Sequence, residues 1–92
     1  MKDLLIDDVR NFGCCKTVRT YDEAINALKE EKWDVVYLDH DLGYDPKTGY
    51  DILCWLEQNL QYLPGKIVIV SMNPSGRERM QLVIDKLYNM EA

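Results

Sequence analysis

The 92 residues suffice for one domain, spanning 1–92, and fall short of two. A net charge of −5, with no basic run to offset it, excludes a general binder of nucleic-acid polymers or anionic membranes. The apolar and charged fractions, 47% and 29%, are those of a soluble globular protein. No apolar stretch approaches the roughly 20 residues of a membrane span, and Met1-Lys2-Asp3-Leu4 turns acidic too soon for a secretory signal, so a cytoplasmic location is expected.

In chain order, Leu4-Leu5-Ile6 predicts a short strand that stops at Asp7-Asp8. Lys16–Arg19 is a second, weaker strand. Thr20 and Glu23 then have the spacing of a capping box, and Tyr21, Ala24, Ile25 and Leu28 repeat at helical spacing. Asp34–Leu38 is the clearest strand, apolar nearly throughout, as suits a central parallel strand buried on both faces. It ends at Asp39-His40-Asp41. Gly43, Pro46 and Gly49 break the following loop. Thr48 and Asp51 form a second capping pair ahead of a helical stripe of Ile52, Leu53, Leu56 and Leu60. After the Pro64-Gly65 turn, Ile67–Val70 is a buried strand ending at Ser71. Asn73-Pro74 is a turn, Ser75 and Glu78 suggest a third capping box, and Met80, Val83, Ile84, Leu87 and Tyr88 form one face of the last helix.

The order β-β-α-β-α-β-α implies an α/β fold with a mostly parallel four-stranded sheet and about three helices. One connection is irregular. The seven residues between Asp8 and Lys16 cannot hold a crossover helix, so either a bare loop crosses the sheet or the second strand pairs differently. The odd count of Cys14, Cys15 and Cys54, two of them adjacent, fits neither a disulfide framework nor a zinc site. They read as reduced thiols, Cys54 as a small core residue on a helix.

Ligands of open parallel sheets bind beyond the carboxyl ends of the strands. Asp7, Asp8, Thr20, Asp39, His40, Asp41, Ser71 and Asn73 are all expected there. Clustered carboxylates repel, and a hard divalent cation relieves that cost; Mg²⁺ favours a few carboxylates together with waters and phosphate oxygens. The start of the last helix opens near the same edge, where free amides and Arg77 suit an anion. His40 could exchange a proton near neutral pH. Each residue also has a plainer reading: Asp7-Asp8 as a turn, His40 as an exposed loop residue, Ser71 as a strand cap, Arg77 as a solvated side chain. Two acidic clusters, each closing a buried strand, favour the metal.

The segments "LLIDDVR", "DVVYLDHDLG", "TGYDILCWL" and "KIVIVSMNP" resemble successive pieces of a response-regulator receiver, a flavodoxin-like fold. That resemblance implies that Asp7 and Asp8 hold Mg²⁺, that Asp39 is both metal ligand and phospho-acceptor, and that Ser71 is the switch hydroxyl. The pattern is a truncated one, lacking the first and fifth receiver helices and the fifth strand. With the fifth strand goes the lysine that pairs with the acceptor aspartate, and Lys66, at the opposite edge, cannot replace it. "VRTYDEA", "LDHDLG", "TGYD" and "SMNPSGRERM" are more similar to the cyclic-phosphate-processing receiver-like domains of bacteria and phages. This second resemblance implies a domain that binds or processes a phosphate-containing small molecule, a cyclic phosphate or nucleotide. Asp39, His40 and Asp41 would be its catalytic residues, and Ser71, Asn73 and Arg77 its phosphate contacts. Two other readings stay open: a signalling receiver phosphorylated on Asp39, and a non-catalytic protein–protein adaptor or phage inhibitor. An exposed apolar edge strand also invites pairing, which leaves a homodimer open.

Overall fold

The computed structural model describes residues 2–13 and 15–91; Cys14, read above as a reduced loop thiol, lies outside them. Four strands, β1 (Asp3–Ile6), β2 (Lys16–Val18), β3 (Val35–Leu38) and β4 (Lys66–Ile69), form one sheet in the order β2-β1-β3-β4. Every pairing is parallel. The helices are α1 (Tyr21–Glu30), α2 (Gly49–Glu57) and α3 (Pro74–Glu91). The expected α/β architecture is therefore present, with four parallel strands and three helices among the described residues. No helix among them is long and apolar enough to cross a membrane.

The irregular connection is a bare loop. Between β1 and the neighbouring parallel β2 the described residues, 7–13 and 15, form no helix. Phe12 in this loop meets Tyr37 of β3 edge-on, at a centroid distance of 5.2 Å. The loop thus supplies some of the cover that a crossover helix would otherwise give to that side of the sheet.

A single apolar cluster joins Leu4, Ile6, Val18, Val36, Leu38 and Ile67 of the sheet to Leu28, Leu53, Met80 and Leu87 of the helices. Residues of a strand alternate between faces, so one face of the sheet packs on all three helices. On the other face Val35, Tyr37 and Val68 stay half-buried. This corrects the expectation that the third strand is buried on both faces. Its apolar run is continuous, but its burial alternates.

The helix ends also differ in detail from the spacing rules. Thr20 caps α1 by accepting from the Glu23 N–H at 3.2 Å, while the Glu23 carboxylate accepts from Arg19 N–H at 2.8 Å, one residue before the cap. At α2 the Asp51 carboxylate accepts from the Thr48 N–H at 2.7 Å, as expected. That helix ends at Glu57, and Leu60 falls in a separate 3-10 turn at Leu60–Tyr62. The third helix is capped by Asn73, not Ser75. The Asn73 side-chain oxygen accepts from Gly76 N–H at 3.0 Å, and Pro74 takes the first helical position, where its missing N–H costs nothing.

Candidate metal and phosphate site

Strand register builds the site. Ile6 pairs with Leu38, so the next residues, Asp7 and Asp39, leave the sheet side by side. The ladder continues one step past the strands: Asp39 N–H donates to Ile6 O at 2.9 Å, and Asp7 N–H donates to Val18 O at 3.1 Å. Asp7, Asp8 and Asp39 each offer a carboxylate oxygen, and these oxygens all lie within 4.8 Å of one another. Asp7 is fully buried and Asp39 is 6% exposed. The loop after β3 adds a wall. Gly43 takes a left-handed φ of +64°, and its open Cβ position lies 3.5 Å from the Asp8 carboxylate. Gly49 starts α2 with its N–H on His40 O at 2.8 Å, so close that any Cβ there would overlap the Asp39 carbonyl.

The two buried carboxylates differ in proton affinity. Burial pushes Asp39 up, the charge of Asp7 pushes it further, and the amides of His40 and Asp41 with Arg10 only partly offset this. Burial also acts to raise Asp7. Here the Arg10 side chain and the N–H groups of Val9 and Arg10 outweigh it and hold Asp7 below the ordinary carboxylate value. Both amides donate to Asp7 Oδ1, at 2.9 and 3.1 Å. Arg10 Nη1 stands 2.8 Å from Asp7 Oδ2 and 3.4 Å from Asp39 Oδ2, bridging the two. Arg19 Nη1 fixes the loop by donating to the carbonyls of Asp7 and Arg10 at 3.0 and 2.7 Å.

Asp7, Asp8 and Asp39 thus come together, whereas Asp41 stands outside the group, its side chain 67% exposed and its Oδ1 3.2 Å from His40 Nδ1. The His40 ring packs under the first turn of α3, where a Cβ on Gly76 would come within 2.8 Å of it. Ser71 lies two residues past β4 and, continuing the β3–β4 register, level with His40. It is buried, and its hydroxyl accepts from Asn73 N–H at 3.0 Å. Arg77 Nη1 donates to Ser71 O at 2.9 Å. Ser71, Asn73 and Arg77 therefore interlock as one β4–α3 turn. Thr20 is taken up in capping α1. Sequence spacing does not point to Arg10 or Arg19 as site residues, although Arg10 closes the "LLIDDVR" segment three positions after Asp7.

Residues 2–86 match the family described as cyclic-phosphate processing receiver domain. The chain belongs to this family. Among solved structures, this receiver domain is similar to one titled "MaeR response regulator bound to beryllium trifluoride", with 18% identity, 100% of each chain covered and a TM-score of 0.63. Identity that low shows a shared fold. No curated protein matches the chain.

The donor set suits Mg²⁺. An octahedral shell with oxygens at about 2.1 Å spans roughly 4.2 Å between opposite ligands. The carboxylate oxygens, within 4.8 Å of one another, lie near that span. Burial first, and the neighbouring Asp7 charge second, raise Asp39, so the ionised carboxylate is costly here without a cation.

Proposed function

We propose that this receiver domain holds Mg²⁺ between Asp7, Asp8 and Asp39, and through it binds or processes a phosphate-containing small molecule of the cyclic-phosphate or nucleotide class. The observation that carries the reading is the convergence of three carboxylates from two neighbouring strand ends, two of them buried. A bound Mg²⁺ would neutralise phosphate oxygens and polarise the phosphorus. The chain's own residues set the surroundings. The β4–α3 turn, with Ser71, Asn73 and Arg77, borders the carboxyl edge, and an anion there must compete with the hydrogen bonds these residues make to one another. Asp41 fixes one nitrogen of His40, which orients the ring for proton exchange with a ligand.

The test is calorimetric titration with MgCl₂, followed by cyclic and linear nucleotides in the presence of Mg²⁺. Intrinsic fluorescence is a poor reporter. Trp33 precedes β3 and Trp55 stacks on Tyr62 late in α2, both toward the amino edge of the sheet. Saturable Mg²⁺ binding that Asp7→Asn abolishes is expected, with at least one nucleotide bound only when Mg²⁺ is present. No heat from metal or nucleotide would refute the reading. The position of Asp39 at the end of a central strand, between a carboxylate and an arginine, favours phospho-acceptance as the second reading. Beryllofluoride binding lost in Asp39→Asn, with no nucleotide bound, would select it.

A further inference from the structure

Among the described residues, the cation that pairs with the acidic cluster is Arg10. Its guanidinium engages one oxygen of Asp7 and one of Asp39, two of the three groups that would ligate a metal. A divalent ion seated on those oxygens would face the guanidinium at ion-pair distance, and like charges so close repel. On those oxygens the metal and this position of the Arg10 head compete. The Arg10 main chain, by contrast, is secured independently of the head. Its N–H is held by Asp7 Oδ1 at 3.1 Å, and its carbonyl accepts from Arg19 Nη1 at 2.7 Å. A displaced head would stay tethered beside the carboxylates. Its side chain is already 31% exposed, so it can turn outward without unpacking the core.

We propose that Arg10 is an internal counter-ion that Mg²⁺ must displace, and that the displaced guanidinium then binds the metal-held phosphate. The inference rests on the metal reading above. Its chemistry is that of a guanidinium: planar, permanently charged, and matched by its donors to carboxylate oxygens in one state and phosphate oxygens in the other. One residue then imposes an order, with metal entering first and anion second.

The experiment compares the original protein with Arg10→Ala and Arg10→Lys by calorimetry, using MgCl₂ alone and then inorganic phosphate at saturating Mg²⁺. Far-ultraviolet dichroism confirms folding, and the lysine variant, which keeps the charge, carries the test if the alanine variant does not fold. Arg10→Ala should bind Mg²⁺ roughly tenfold tighter, the equivalent of one partly exposed ion pair. It should bind phosphate roughly tenfold more weakly, the loss of one charge-assisted contact. The lysine variant should fall between in both. Opposite changes are the signature, because a merely structural role would weaken both. Equal or weaker Mg²⁺ binding by Arg10→Ala overturns the Arg10 proposal and leaves the metal site standing, as does unchanged phosphate binding. Absence of Mg²⁺ binding in all three proteins overturns both.

Discussion

Replacing Asp39 by asparagine should stabilise the metal-free protein. Asp39 has two carboxylates with oxygens within 4.8 Å and one guanidinium at 3.4 Å. At an effective dielectric of about 20, each carboxylate costs it roughly 3 kcal/mol, and the Arg10 guanidinium offsets much of this. With that offset, and with solvent around the half-exposed Asp8 and Arg10, the net repulsion is about 1 kcal/mol. For a domain of this size, about 1 kcal/mol raises Tm by roughly 4–8 °C. The assay is thermal unfolding in EDTA, then in Mg²⁺. With metal the order should reverse, since the charge that strains the empty site ligates the ion. The pH dependence gives a second reading of the same effect. Because the folded value of Asp39 is raised, the folded protein takes up this proton more readily than the unfolded chain. Its contribution to stability is intact below the ordinary carboxylate value and is lost as pH climbs through the raised one. The Tm advantage of Asp39→Asn should therefore vanish at strongly acidic pH and grow across that window. An asparagine variant that melts at or below the original in EDTA at neutral pH would refute the repulsion argument.

Two further substitutions probe how the site is framed. Gly49→Ala would drive a methyl group into the Asp39 backbone carbonyl, which cannot swing aside as a flexible side chain could, and should cost about 3 kcal/mol or more in chemical denaturation; a variant as stable as the original would contradict the close approach. Asn73→Ala removes the cap of α3 and should cost about 1 kcal/mol, with Asn73→Asp largely restoring it; equal stability of all three would assign the cap elsewhere.

The fold was legible because hydrophobic period and element order are local properties. Leu4–Ile6, Val36–Leu38 and Ile67–Ile69 announce strands, and their alternation with helices fixes a parallel sheet. What escaped was decided by tertiary packing. Whether Val35 and Tyr37 are covered depends on what lies over that face. Here it includes a bare loop carrying Phe12, which no pattern within β3 could reveal. The end of α2 at Glu57 was equally hidden, because Leu60 keeps the apolar spacing while the backbone passes into a 3-10 turn. Ser75 and Glu78 have the spacing of a capping box, but Pro74 and the Asn73 side chain start the helix earlier.

For the site, the sequence specified the carboxylates and concealed their counter-charge. Asp7 and Asp39 are readable because each ends an apolar strand, and parallel register makes such ends neighbours. The receiver pattern places its cation, a lysine, on a further strand. In this chain the cation beside the cluster comes from the loop that replaces a crossover helix. An arginine three residues after a strand end could face solvent or turn back. The Asp7 side chain decides it by accepting both Val9 and Arg10 amides, which folds the loop tightly over the strand end. That turn brings Nη1 to 2.8 Å from the carboxylate that organises it. The irregular short connection and the neutralisation of the acidic site are therefore one feature. A helix after Asp7 would carry the chain away from the carboxylates, whereas the short loop keeps a guanidinium within reach of them.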